Sequence, residues 1–227
     1  MSTAPELESW APAAVCQARR RLAVVVVEGL CPAGLQIAQH LIRSRIGTLV
    51  LRDDQPVTRE DTGLRSMDAG RRRAEAAAGL LGGASGETAV IEAPPESSIR
   101  GADLHLLVGQ RRASDAMLSR RLEESPVLLP VSVTTAGWRI GPLLHQASLV
   151  CSHCMGISPF NQQQTPAADA DITVLQAAAA AVAAQQVVIL INGLTPGVLR
   201  GAGLMAEAAT GRIKTIQHDP RRECVCG

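Results

Sequence analysis

The segment from Leu22 to Asp61 constrains this chain more than any other. Leu22–Val27 is a continuous apolar run rich in β-branched residues, the mark of a strand buried on both faces. It passes straight into Gly29-Leu30-Cys31-Pro32-Ala33-Gly34 and then into a helical pattern from about Ala33 to Arg45. A second strand, Thr48–Arg52, is followed at once by Asp53. Strand, glycine turn, helix, strand and acid, in this order, are the parts of a βαβ unit that holds a nucleotide. In such a turn the first glycine permits the tight bend, the second lets phosphate reach the backbone, and the third lets helix and strand pack closely. Gly29 and Gly34 fill the first and third places. Cys31 fills the middle one, where its Cβ crowds a phosphate, and Pro32 after it supplies no N–H. Glycine turns also arise for packing alone, so both uses stand at this point. Asp53, at the end of the second strand, is placed to accept from ribose hydroxyls. No Gly-Lys-Ser/Thr follows the turn, so this is not a P-loop.

The alternation continues downstream. A polar, turn-rich stretch over 53–70 precedes a predicted helix from Gly70 to Leu81, broken by Gly82-Gly83. Strands are predicted over Thr88–Glu92, Leu104–Val108 and Val127–Val133, with a helix over Ser114–Glu124 between the last two. Trp138–Leu144 reads as a further element at the sheet edge, and a long helix is predicted over Ile172–Asn192. The tail, 195–227, carries weak strand signals. Apolar strands alternating with helices predict an α/β fold, a Rossmann-like and mainly parallel sheet with helices on both faces. A chain of 227 residues suffices for one such domain. It is read as residues 21–227, behind a leader with a short helix over residues 1–20.

Composition narrows the function classes. The net charge of +1 argues against a general nucleic-acid or anionic-membrane binder. The aromatic residues are Trp10, Trp138 and Phe160, too few for a base-stacking platform. Lys214 is the only lysine, which nearly excludes mechanisms built on a catalytic lysine. Asp53 would suit NAD, but tyrosine is absent and no Tyr-Lys or His-Asp set equips an NAD(P)-dependent oxidoreductase. Val174–Leu194 comes nearest to a membrane span. It is interrupted by Gln176, Gln185 and Gln186 and reads as a buried helix. Met1–Ala14 carries acids and prolines without a secretory pattern, so a cytoplasmic location is expected.

Six cysteines in such a chain point to metal or free thiols rather than disulfides. Cys151-Ser-His-Cys154 and Cys224-Val-Cys226 supply four thiolates, a set suited to tetrahedral structural zinc that would clip the C-terminal tail to the domain. A free redox pair and unrelated buried thiols are the alternatives, and His153 is an alternative ligand. Cys16 and Cys31 are left over; Cys31 is read as a small core thiol.

Taken in order, these segments resemble the ThiF/MoeB/HesA superfamily of E1-like adenylyltransferases, the ubiquitin-activating-type fold. The resemblance rests on the glycine turn, on Gly47-Thr-Leu-Val-Leu-Arg-Asp53 and on the spacing Asp53-x-x-x-Val57-x-x-x-Asp61. Gly70-Arg-Arg-Arg73-Ala74, Gly101-Ala-Asp103, Gly137-Trp-Arg-Ile-Gly141 and the terminal His218-Asp-Pro with Cys224-Val-Cys226-Gly227 extend it over nearly all of Leu22–Gly227. The chain looks most like the divergent ThiF-like proteins of actinobacteria. The resemblance implies ATP and magnesium as cofactors and a homodimer. It also implies adenylation of the C-terminal carboxylate of a ubiquitin-like or peptide partner. It places Gly29, Gly34 and Asp53 at the nucleotide. Arg73 stands where the family has a phosphate-contacting lysine, and Arg65 falls one position after the usual arginine. Gln55 replaces a second acid, Asp61 replaces an asparagine, and Gln110 stands where a magnesium-binding aspartate is expected. The loop Gly156–Ala170 holds no cysteine for a transthiolation step. These departures make an inactive member, kept as a binding or scaffold partner, the alternative to a working enzyme.

Overall fold

The computed structural model describes residues 12–83, 86–94, 97–109, 115–145, 171–193 and 199–218. In chain order its elements are α1 (Ala13–Leu22), β1 (Val24–Glu28), α2 (Pro32–Arg43), β2 (Thr48–Arg52), α3 (Arg73–Gly82), β3 (Ala89–Glu92), β4 (Leu104–Gly109), α4 (Asp115–Glu124), β5 (Val127–Thr134), β6 (Gly137–Ile140), β7 (Leu144–His145), α5 (Ile172–Ile191), β8 (Ala202–Glu207) and β9 (Ile213–Gln217). The strands form one nine-stranded sheet in the order β3-β2-β1-β4-β5-β6-β8-β9, with β7 also paired to β5. From β3 to β5 every pairing is parallel, and from β5 onward every pairing is antiparallel. The parallel part follows from crossover helices between successive apolar strands, and the antiparallel part from tight connections such as Thr134 to Gly137.

Side chains alternate across the sheet, so β1 divides its valines between two layers. Val25 and Val27 join the main core with Ile37, Leu41, Leu49, Leu51, Leu106 and Trp138. Val26 joins Val50, Ala93 and Ala102 on the other face, and Leu107, Leu118, Leu128 and Leu144 make a third apolar cluster there. The long α5 is apolar enough by length and composition to cross a membrane. It instead packs on α2, β5 and β6, burying Ala179, Ala180, Ala183, Ala184 and Val187 in the main core. Its start is capped by Asp171, which accepts from the Thr173 amide at 2.8 Å.

Several boundaries differ from the sequence reading. The first strand begins at Val24, not Leu22, because α1 runs on to Leu22 and leaves that side chain 81% exposed. The third helix begins at Arg73 rather than Gly70. Gly70 turns at φ 87, and the amides of Arg73 and Ala74 then donate to the carbonyls of Gln55 and Asp53. Trp138–Leu144 is not one edge element. It splits into β6, held between β5 and β8, and β7, on a different stretch of β5, so Trp138 lies in the sheet interior at 1% exposure. The weak strand signals of the tail resolve into β8 and β9.

Candidate nucleotide site

The site is built where β1 and β2 end side by side. Glu28 and Arg52 are register partners, and Gly29 donates its amide to the Arg52 carbonyl at 2.9 Å. The chain then turns at Gly29, whose φ is 91, and enters α2 with Cys31 as the residue before its first turn and Pro32 at the start. The two glycines meet packing demands. A Cβ on Gly29 would lie 1.9 Å from the Val108 carbonyl oxygen, and one on Gly34 would lie 2.0 Å from the Gly29 carbonyl oxygen. These are the bend and the close helix–strand approach that the first and third glycines serve.

Asp53 is tied into this turn. One carboxylate oxygen accepts from the Leu30 amide at 2.7 Å and the other from the Gln55 amide at 3.0 Å. Burial pushes the Asp53 carboxyl above its usual range, more than these amides and Arg73 draw it down. Each carboxylate oxygen has a second lone pair, so the group retains acceptor capacity for a ligand hydroxyl. Cys31 is half-buried, and burial pushes its thiol up although the amides of Gly34 and Ala33 and the Arg73 charge favour the thiolate. A small, protonated thiol is what that environment holds.

Arg73, the first residue of α3, turns back toward the glycine turn. Its Nη1 is 4.0 Å from Asp53, while Nη2 and Nε donate to the two oxygens of Asp61 at 2.6 and 3.0 Å. The stretch between Asp53 and Arg73 is closed by a bridge between Pro56 and Arg72, by Val57 donating to Arg71, and by Gly70 donating to Val57. Leu64 from this stretch packs against the main core. The structure thus brings Gly29, Gly34, Asp53 and Arg73 together. Arg65 is exposed; its carbonyl accepts from the Asp68 amide at 2.9 Å, and its guanidinium makes no ion pair with the site among the described residues. Gln110, the loop Gly156–Ala170 and the zinc candidates Cys151, Cys154, Cys224 and Cys226 lie outside the described residues, as do residues 1–11 of the leader. Among the described residues no group of three or more His, Cys, Asp or Glu side chains is placed to hold a metal.

One feature beneath the site is absent from the sequence reading. Glu28, which directly precedes the turn, and Arg52, which directly precedes Asp53, are buried with His105, Arg121 and Glu124. Glu28 accepts from His105 Nε2 at 2.8 Å and from Arg121 Nη2 at 2.7 Å. Arg121 Nε lies 2.6 Å from the same carboxylate, though without hydrogen-bond alignment. Arg52 donates to Glu124 at 2.8 Å and to the Ser97 carbonyl at 2.6 Å. Two carboxylates and two guanidiniums balance in charge. Burial raises the Glu28 carboxyl, but the hydrogen bonds and charges of His105 and Arg121 outweigh it and hold the group at about 2. The signal available in the sequence is a charged residue closing each of two otherwise apolar strands, with a histidine inside a third.

No protein-family model matches the chain, and no curated protein matches it in sequence. Solved structures do match in fold. Escherichia coli MccB with ATP superposes with a TM-score of 0.74 at 17% identity, covering 94% of this chain and 69% of MccB. The microcin C7 biosynthetic enzyme MccB in complex with N-formylated MccA gives 0.75 at 16% identity, covering 94% of this chain and 70% of that one. PaaA gives 0.69 at 16% identity over 89% of this chain and 75% of its own. The chain has the E1-like fold that its sequence resembles. At these identities the likeness is one of fold.

Proposed function

We propose that this chain binds ATP at the glycine turn and Asp53 and activates the C-terminal carboxylate of a peptide or ubiquitin-like partner. The observation that carries the reading is the Leu30-to-Asp53 hydrogen bond of 2.7 Å, which fixes a carboxylate against the turn of an E1-like fold. Similar structures have been solved with ATP and with the peptide MccA, which supports the same ligand classes here. The residues present fit the nucleoside end of ATP. Asp53 offers acceptors to a ribose, and the first-turn amides of Ala33 and Gly34, which face the Cys31 thiol, have no backbone acceptor in α2. ATP, when bound, supplies the adenylyl group: a carboxylate oxygen bonds to the α-phosphorus as the bond to pyrophosphate breaks. Asp53 orients the ribose, Arg73 is the guanidinium for the phosphates, and Arg65 lies on the flanking loop.

A second reading is favoured by one observation. Arg73 is already paired with Asp61 at 2.6 Å, which suits a fold that binds a partner without turnover. ATP–pyrophosphate exchange separates the two. With magnesium and a panel of peptides ending in glycine or asparagine, exchange above a peptide-free control supports activation. ATP binding with no exchange on any peptide supports the second reading.

We further propose that Cys151, Cys154, Cys224 and Cys226 hold a structural zinc, on the chemistry of the four thiolates alone. Elemental analysis should find zinc at one per chain, lost when Cys224 and Cys226 are changed to serine. Metal-free protein as purified, with an unchanged melting temperature after chelation, would remove the zinc.

A further inference from the structure

Asp61 holds the guanidinium of Arg73 in a fork-to-fork pair, through Nε at 3.0 Å and Nη2 at 2.6 Å. That two-pronged geometry is the one by which arginine takes two phosphate oxygens. A carboxylate of this chain therefore occupies the Nε–Nη2 edge of Arg73, one of the two edges by which a guanidinium can hold a phosphate. Asp53 stands 4.0 Å away on the same guanidinium, so two carboxylates confront one positive charge beside the turn. Asp61 is held by little else. Its other attachments are all to Thr58, through that residue's amide at 2.7 Å and its side chain, and the neighbours Arg59, Glu60, Thr62 and Gly63 are exposed.

We infer that Asp61 is an internal counter-ion that sets the polyphosphate affinity of Arg73, and must leave the guanidinium before a nucleoside triphosphate or free polyphosphate can engage it. The inference rests on the nucleotide reading for its biological ligand, but the competition itself is a property of the ion pair. It makes Asp61 a specificity-determining residue. With Asp61 in place the site favours a nucleoside with few phosphate charges, and with Asp61 withdrawn it favours the triphosphate.

The test is calorimetric titration of tripolyphosphate, adenosine and ATP into wild type, Asp61→Asn, and the double variant Asp61→Asn/Arg73→Gln. Asparagine keeps an oxygen for the Thr58 amide, removes the charge and replaces the second acceptor with an NH2 that cannot accept from Arg73. We expect Asp61→Asn to bind tripolyphosphate on the order of tenfold more tightly than wild type. The double variant should lose that gain, and adenosine affinity should not change between wild type and Asp61→Asn. Asp61→Ser, which also offers Thr58 an acceptor, serves if the asparagine variant does not fold. Equal tripolyphosphate affinity in wild type and the charge-free variants, or a gain that survives Arg73→Gln, overturns the inference. Failure of adenosine and ATP to bind any form overturns the nucleotide reading instead, and leaves tripolyphosphate to decide the counter-ion role alone.

Discussion

Changing Gly29 to alanine is expected to cost at least about 3 kcal/mol of stability and to abolish nucleotide binding, because two penalties coincide there. The residue turns at φ 91, where an L side chain is strained. The added Cβ would also sit 1.9 Å from the Val108 carbonyl oxygen, a backbone atom of β4 that cannot swing aside. Relieving the clash would push β1 from β4 at the point where the turn leaves the sheet. Urea unfolding checks the figure. A midpoint within experimental error of wild type would mean that the turn has another conformation. Alanine at Gly79, where nothing lies within 4 Å, is the matched control and should be neutral or slightly stabilising.

The second large effect concerns the charges beneath the turn. Glu28→Gln should cost about 3–5 kcal/mol, since it leaves Arg121 and Arg52 buried with one carboxylate between them. The wild type carries the same dependence on pH. Glu28 is held at about 2, below its ordinary 4.5. The folded chain therefore binds this proton less readily than the unfolded chain. Its contribution is fully present above about 4.5 and is lost as the pH falls toward 2. At 1.36 kcal/mol per pH unit the contribution is about 3 kcal/mol. Chemical denaturation from pH 6 to pH 3 should show wild-type stability falling steeply, and the Glu28→Gln variant falling less. Parallel curves for the two proteins would remove Glu28 as the responsible group.

The parts of the fold that were legible in the sequence are those whose signals are local. The run at Val24–Val27, the turn at Gly29 and the helix that follows identify themselves by apolar continuity and glycine punctuation. Their ends shift only where a helix overruns, as at Leu22. The place of β6 is not legible locally, because its second neighbour, β8, comes from more than sixty residues downstream and nothing near Trp138 announces that pairing. β9 gave a weak signal because almost all of its residues are exposed, so neither face carries an apolar pattern. The site divides in the same way. Gly29, Gly34 and Asp53 follow from order along the chain. Asp61 and Arg73 were each matched to a position, yet their ion pair depends on a loop that folds back through Pro56 and Arg72. The cluster of Glu28, Arg52, His105, Arg121 and Glu124 draws on three strands and α4, and its members mean little until the sheet register aligns them.

The most direct test of the nucleotide site is titration of ATP with magnesium into wild type and into Asp53→Asn, with melting temperatures recorded for both. Asparagine keeps one acceptor oxygen and replaces the other with an amide that cannot accept from the Leu30 N–H or a ribose. Saturable binding to wild type is expected, weakened roughly tenfold or more in a folded Asp53→Asn protein. Absence of binding to zinc-replete wild type, or equal binding by both proteins, would contradict it.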